Sequence, residues 1–413
     1  MYNPLPLFGA RTGACPGRPD AGQALQTAEE ATVGFDERDR SFMERALALA
    51  EQGRGYVEPN PMVGAVVVKD GRIVGEGHYK RFGGPHAEVF ALQEAGERVR
   101  GATLYVTLEP CDHAGKTPAC APMVAQAGLG RVVICTADPT DVRPRGGLEM
   151  LAQRNVLAED GLCREEAVRL NAGFFKLAAT GRPLVTAKWA MSADGKIATA
   201  TGESRYISSA ASRRLVHEVR GQVDCIIVGS RTVARDDPLL TCRDAERRRT
   251  AARLVLCGAS APSPGSRLVQ TVSDAPVMLA YPAGRPPEGL AGLAELGCEA
   301  LPVEGDEPRR VDIGRLLSEL GRRRMTNVLV EGGGEVLGSF FDAGFVDRVM
   351  VFVAPLVIGG AGATPPVAAA TPVAGRGARS IGEAVRLQAC ETRALDGDVL
   401  IQGWAVDPLR WAP

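Results

Sequence analysis

Hydrophobic positions change period several times along the chain, and each change predicts an element. From Asp39 onward, Phe42, Ala46, Leu47 and Ala50 recur at helical spacing until Gly53, which predicts an opening helix. A β-branched run at 62–68 ends at Asp70-Gly71 and is followed by Ile73 and Val74, the pattern of a hairpin. Pro85 and Gly96 bracket a helix over about 86–95, 103–108 alternates as a strand, 120–127 is helical up to Gly128, and 131–135 is an apolar strand. Strands alternating with helices predict an α/β layer fold for residues 36–180.

Thr180-Gly181-Arg182-Pro183 interrupts this pattern, and a second α/β unit over 181–407 follows it. Its predicted strands are 184–188, 224–228, 253–257, 277–281, 327–330 and 349–354, with helices such as 209–220 between them. Residues 1–35 carry many prolines and glycines without a sustained apolar period, so the expectation is a disordered N-terminal extension. That segment lacks the apolar core of a targeting peptide, and a start codon assigned too early explains it equally well.

Composition narrows the classes. The 413 residues are 45% hydrophobic and 23% charged, a globular mix large enough for two or three domains. The net charge is -1, and residues 36–180 hold 18 Lys plus Arg against 20 Asp plus Glu, so no basic surface is available for nucleic acid or anionic lipid. The longest uncharged stretch, 349–375, contains Pro355, Pro365, Pro366 and Pro372, and reads as one strand and a loop rather than a membrane span. Ten cysteines without a signal peptide fit reduced thiols or metal ligands, and a cytoplasmic protein.

Three of those residue types form a pattern with chemical content. His86-Ala87-Glu88, then Pro110-Cys111, then Cys120, supply an imidazole, two thiols and a carboxylate, the inventory of a zinc deaminase. Two thiolates and an imidazole neutralise Zn²⁺ and fill three tetrahedral positions, leaving the fourth for a water whose pKa falls to about 7. Both His86 and Cys120 are expected in the first turn of a helix, which favours a thiolate and a nearby carboxylate. Glu88 is then the proton shuttle. Taken singly, each of these residues is more often a surface imidazole or a buried apolar thiol; the joint pattern after two strand-to-helix transitions is what carries the assignment. Eight residues separate the two cysteines where the generic signature has two, and that longer loop is a candidate substrate contact.

Pro59-Asn60-Pro61-Met62-Val63-Gly64, His86-Ala87-Glu88-Val89 and the run from Thr107 through Cys120 resemble the bifunctional deaminase-reductase family of riboflavin biosynthesis. The resemblance continues through Lys188–Ile197, Thr201-Gly202-Glu203-Ser204, Thr232–Arg243 and Val330-Glu331-Gly332-Gly333, and spans about 36–407 in the family's order. It implies a cytidine-deaminase-like α/β/α zinc domain at 36–180 and a dihydrofolate-reductase-like α/β domain at 181–407 that uses NADPH. The implied substrate is 2,5-diamino-6-(5-phosphoribosylamino)pyrimidin-4-one, deaminated at one zinc ion per chain and then reduced at the ribosyl carbon to a ribityl chain. The implied partners are this small molecule and further copies of the chain in a homo-oligomer, with neither nucleic acid nor membrane.

By the same match, His86, Cys111 and Cys120 hold zinc, and Glu88 carries protons. Asn60, His113 and Lys116 hold the deaminase substrate, the last two near its phosphate. In the second domain Lys188 and Glu331 are the polar groups nearest the chemistry. Cofactor contacts map onto Ala190, Tyr206, Thr232, Asp236, Gly333, Gly334 and Ser339, and substrate contacts onto Ser204, Arg220, Leu240, Arg243 and Glu331. Independently of the family, strand 327–330, the turn Glu331-Gly332-Gly333-Gly334 and the helix that follows allow backbone N-H groups to approach a phosphate, although the turn is not a G-x-G-x-x-G fingerprint.

Departures from the family's pattern are local. Tyr206 stands where the family has Trp, and Asp138-Pro139-Thr140-Asp141 with Pro144-Arg145-Gly146-Gly147 differs from its usual loop. In Gly77-His78-Tyr79 the family's phosphate-side histidine is replaced by Tyr79, which is expected to take that position. These changes leave open a pathway-specialised paralogue with one impaired domain; a nucleic-acid editing deaminase with an accessory domain is the reading from another class.

Overall fold

The computed structural model describes residues 34–140, 145–360 and 371–413. Most of the N-terminal extension, and Asp141–Pro144 of the altered loop, lie outside the described residues.

The first sheet comprises Gly64–Lys69 (β1), Arg72–His78 (β2), Thr103–Val106 (β3), Arg131–Ile134 (β4) and Leu157–Asp160 (β5), in the order β2-β1-β3-β4-β5. β1 runs antiparallel to β2 and β3, whereas β3, β4 and β5 are mutually parallel. The β1–β2 hairpin closes on Asp70 and Gly71, both at positive φ (51° and 72°), as a two-residue turn of matching twist requires. On one face lies the helix Ala87–Ala95, whose Ala87, Ala91 and Ala95 are buried against Val67, Leu104 and Ile134. Small residues on both sides bring this helix onto β2: a Cβ at Gly75 or Gly77 would stand 2.2 Å from the Ala91 or Ala87 carbonyl. That close approach fixes the height of His86 and Glu88 above the sheet.

The second sheet has nine strands: Leu184–Ser192 (β6), Cys225–Gly229 (β7), Ala252–Leu256 (β8), Val277–Pro282 (β9), Glu299–Val303 (β10), Asn327–Val330 (β11), Arg348–Ala354 (β12), Gln388–Leu395 (β13) and Asp398–Trp404 (β14). Their order is β10-β9-β8-β7-β11-β6-β12-β14-β13, parallel as far as β12 and antiparallel from β12 through β14 to β13. Its central strands are buried on both faces, so they read as continuous apolar runs. Asp224, just before β7, accepts from Thr326 N, Thr326 Oγ1 and Asn327 N, which pins the entry to β11. Among the described residues no helix is long and apolar enough to cross a membrane.

Every strand expected from the sequence is present, and β6 runs to Ser192 because β12 pairs with it from Thr186 as far as Ser192. β5, β10, β13 and β14 were not anticipated. β5 and β10 are edges, β10 carries Pro302 and buries only Leu301 and Val303, and β13 is exposed at all positions but Leu395, so these three have little apolar face; β14 alternates only over its first three residues. In 349–375 the strand is where expected, and 361–370 lies outside the described residues.

Residues Glu37–Pro413 form one compact unit. One tie within it is the buried ion pair of Lys176 and Asp347, side chains 7% and 5% exposed, with Asp347 also accepting from Val185 N at 2.7 Å. Asp347→Asn leaves Lys176 buried without a counter-charge and is expected to lower stability by about 3–5 kcal/mol. Adding Lys176→Met should recover much of that loss, and denaturant melts of the single and double variants measure both.

Candidate active sites

His86 is the N-cap residue of the helix Ala87–Ala95, in extended conformation (φ -74°, ψ 168°), and its side chain makes no capping bond, so the imidazole points away to other partners. Its Nδ1 lies 3.2 Å from Cys120 Sγ and 3.7 Å from Cys111 Sγ, and the three donor atoms all fall within 4.8 Å of one another. Cys120 opens the helix Cys120–Gln126, and its N-H donates to Cys111 Sγ at 3.4 Å. Hydrogen bonds from Cys120 and His86 draw the Cys111 thiol down to about 4. The same contact pushes Cys120 up, since the first of two adjacent thiols to ionise holds the second protonated.

A divalent cation relieves that conflict by stabilising both sulfurs as thiolates. Tetrahedral zinc with Zn–N about 2.0 Å and Zn–S about 2.3 Å needs donors about 3.5–3.8 Å apart, close to the 3.2 and 3.7 Å that the imidazole keeps from the two sulfurs. Glu88 sits in the first turn of the His86 helix, 3% exposed, and its Oε2 has no hydrogen-bond partner among the described residues. Burial raises its pKa, so this carboxyl is poised to take and give a proton. The donor set and the unpartnered carboxyl oxygen both fit a catalytic zinc.

Residues around this centre hold it in place. Thr117 Oγ1 is 3.2 Å from His86 Nε2, a contact that leaves Nδ1 facing the two sulfurs. Thr117 was not singled out in the sequence, although it lies in the loop between the cysteines that was flagged as a substrate contact. Asn60 Nδ2 donates to Tyr79 Oη at 3.2 Å, and that hydroxyl also accepts from Gly83 N at 2.8 Å. Tyr79, expected at the phosphate-side position, is 3% exposed with its ring centroid 5.3 Å from that of His86, and because its hydroxyl accepts from Asn60 and the Gly83 backbone, its own O–H is left to donate. Lys116 lies over the Phe82 ring at 4.0 Å, and His113 is half-buried beside Asp112, Nδ1 to Oδ1 3.5 Å.

The second constellation surrounds Glu331, which follows β11. Arg220, the last residue of the helix Ala210–Arg220, grips its carboxylate through both nitrogens at 2.6 and 2.9 Å. Lys188 Nζ on β6 stands 3.6 Å from Glu331 Oε2. Burial pushes the Glu331 carboxyl up, but Arg220 and Lys188 overcome it and hold the group at about 2. Burial lowers Lys188 against the pull of Glu331, which makes its proton easier to release. Ala190 lies two residues further along β6, on the same face as Lys188.

Two strand-to-helix crossovers meet beside this cluster. β7 leads into the helix Ser230–Asp236 and its neighbour β11 into Gly334–Asp342, at the carboxyl ends where α/β sheets bind ligands. Gly333 N donates to Thr232 Oγ1 at 3.3 Å, joining the two turns. A Cβ at Gly334 would stand 2.5 Å from the Thr371 carbonyl, so only glycine fits this approach to the helix start. Two adjacent glycine-lined helix starts suit the phosphates of a dinucleotide such as NADPH. Ser204 Oγ contacts Asp236 Oδ1 at 3.3 Å, and Tyr206 is 73% exposed with the Arg213 guanidinium 4.6 Å over its ring.

Three assigned residues are placed differently from what their roles suggest. Leu240 is 3% exposed within the core, at φ 53°, so its side chain faces away from solvent and only its backbone is available to a substrate. Ser339 donates its hydroxyl to the Glu335 carbonyl one turn back at 2.8 Å, which engages it within its own helix. Arg243 donates its backbone N-H to His217 Nδ1 at 3.2 Å, while its guanidinium stands in the field of Arg220 and Arg267. His217 was missed because a lone histidine on a helix carries no distinguishing spacing.

A zinc deaminase centre joined in one chain to a pyridine-nucleotide reductase defines a bifunctional enzyme class. The comparisons agree at the level of both halves. The profile for the cytidine and deoxycytidylate deaminase zinc-binding region matches residues 36–136, and that for the RibD C-terminal domain matches residues 183–401. The riboflavin biosynthesis protein RibD of Aquifex aeolicus is 38% identical over 365 residues, covering 88% of this chain and 98% of that protein. RibD of Escherichia coli is 38% identical over 335 residues, 78% and 89% of the two chains. Among solved structures, Acinetobacter baumannii RibD superposes with a TM-score of 0.77 at 32% identity, over 89% of this chain and 98% of that one. The chain belongs to the RibD family of riboflavin biosynthesis, the bifunctional deaminase-reductases, and nothing in these matches favours an editing deaminase or an impaired paralogue.

Proposed function

We propose that the two constellations act in succession on 2,5-diamino-6-(5-phosphoribosylamino)pyrimidin-4-one, the residues around His86 removing ammonia and those around Glu331 serving the reduction. The observation that carries the first role is the buried, unpartnered Glu88 oxygen beside a His/Cys/Cys triad of zinc-ligand spacing. Zinc, when bound by His86, Cys111 and Cys120, supplies a nucleophile from water at neutral pH. Glu88 takes the proton from that water and delivers it to the departing amine nitrogen. Asn60, held by Tyr79, orients the pyrimidine, and His113 and Lys116 attract the phosphate.

In the second half NADPH, when bound, supplies the hydride that reduces the ribosyl carbon. The glycine turn at 333–334 with Thr232, Ala190, Asp236 and Tyr206 is assigned to the cofactor, and Ser339 supports the helix behind it. Lys188 donates the proton needed as the sugar opens, and Glu331 sets its position and charge. Arg220, Arg243, Ser204 and the Leu240 backbone hold the substrate. This reading keeps the cytoplasmic, homo-oligomeric enzyme expected from the sequence; the described cysteines are all free thiols, as a reducing compartment favours. The domain limits 36–180 and 181–407 belong to the same proposal.

Cys120→Ala removes one of three ligands. It is expected to lower bound zinc and the melting temperature of the purified protein, since metal affinity contributes directly to folding. Full zinc content with unchanged melting would exclude Cys120 as a ligand. The function itself is tested with the purified wild type: ammonia release followed by NADPH oxidation on the mononucleotide supports it, and an enzyme inert on that substrate refutes it.

A further inference from the structure

A cleft of about 600 Å³ opens between Pro59, Phe82 and Lys116 on the zinc side and the loops that feed the second sheet. Its far wall is the amino-terminal edge of that sheet: Asp224 precedes β7, Ala252 opens β8, Pro276 precedes β9 and Met325 lies just before β11. Glu331 and Thr232 lie at the opposite, carboxyl ends of the same strands. A ligand in this cleft is therefore remote from the reductive site, and Lys116, the sequence neighbour of the Thr117 that touches His86, links the cleft to the zinc centre.

Four cations line the cleft, and they are not equivalent. Arg249 is neutralised by Asp224 at 2.8 Å and Glu58 at 3.3 Å, and Arg323 by Glu299 at 2.6 Å and Glu319 at 2.8 Å. Asp224 is in turn saturated by Arg249, Thr326 and Asn327, so it repels little. Lys116, from the loop between the two cysteines, and Arg324 make no ion pair with any described residue. Two uncompensated cations from opposite walls of one cleft are a place for a dianion. The neighbouring residue Thr117 touches His86, so an anion held by Lys116 tethers a molecule whose other end can reach the metal ligands.

We propose that this cleft is a phosphate subsite completed across the two halves of the chain, with Arg324 of the reductase half closing over the 5'-phosphate that Lys116 receives from the deaminase half. The inference rests on the proposed deaminase reading and adds that the deaminase half needs the reductase half for recognition of its substrate, not for chemistry. It also requires the deaminated product to leave this cleft before reduction, because the reductive residues stand at the other end of the sheet.

The test uses full-length, zinc-loaded protein and Arg324→Asn, chosen because Arg324 has φ 60° and Asn tolerates that conformation. The variant is expected to raise the deaminase KM for the phosphorylated substrate about tenfold, the value of one charge-assisted contact to phosphate, with kcat unchanged. The KM for the unphosphorylated ribosylamino analogue should not move, and NADPH oxidation on pre-deaminated substrate should stay at the wild-type rate. An unchanged KM, an equal rise for both substrates, or a parallel loss of reduction overturns the proposal. Calorimetric titration with inorganic phosphate reads the subsite without turnover: binding to wild type that Arg324→Asn abolishes supports it, and no binding to wild type, or equal binding to both, overturns it. If wild type binds phosphate yet releases no ammonia from the pyrimidine, the deaminase reading fails while the subsite stands.

Discussion

Replacing Glu88 by Gln is expected to slow ammonia release by about 10²-fold or more, while zinc content, melting temperature and NADPH oxidation on pre-deaminated substrate stay at wild-type values. The glutamine amide fills the same volume, and the helix Ala87–Ala95 loses no capping bond, because none is made by the His86 side chain. Only the group that changes protonation state is lost. In the native protein that carboxyl is 3% exposed, raised in pKa by burial, and has an oxygen with no partner among the described residues. A buried polar atom without a partner costs stability, and its retention beside a zinc-ligand triad is best explained by proton transfer there. Substantial ammonia release by the variant at neutral pH would remove Glu88 from the mechanism.

The second large effect is expected at Glu331. Glu331→Gln should lower NADPH oxidation by about 10²-fold or more and leave deamination intact. Its carboxylate is the shared counter-charge of Arg220 and Lys188, and it is held at about 2 against the opposing effect of burial. With a neutral amide there, two cations face each other without compensation, and burial then favours neutral Lys188. The lysine proton needed in reduction is lost earlier, so residual activity of the variant should fall off at lower pH than in wild type. Fluorescence titration of NADPH should show binding near wild type, since Thr232 and the Gly333 turn are untouched. Wild-type reduction in Glu331→Gln would place the reductive site elsewhere.

The legibility of this chain followed the physical strength of each signal. β1, β3 and β4 were readable because their apolar runs end in glycine, proline or a turn dipeptide, and the site inventory was readable because histidine and cysteine are rare and their spacing is constrained by the metal. The edges β5, β10 and β13 were not, because an edge strand has little apolar face to reveal. The His86, Cys111 and Cys120 group was legible in the sequence, and the structure brings it together, but the setting of Tyr79 needed coordinates: its hydroxyl bonds Asn60 and the backbone of Gly83, partners 19 and 4 residues away. Leu240 shows the converse. The family match placed it at the substrate, whereas its side chain packs in the core and leaves the backbone to make any contact. The pairing of Lys116 with Arg324 across one cleft is a product of the tertiary fold and has no trace in local pattern.

The central claim is that one chain carries two independent sites acting in a fixed order. Mixing Glu88→Gln with Glu331→Gln, each inactive overall, tests it most directly, with the diaminopyrimidine mononucleotide and NADPH supplied and the product identified by mass. Restoration of the ribityl product, with one ammonia released and one NADPH oxidised per molecule, is the result predicted. No ribityl product from the mixture, or NADPH oxidation by Glu88→Gln alone on the undeaminated substrate, would contradict it.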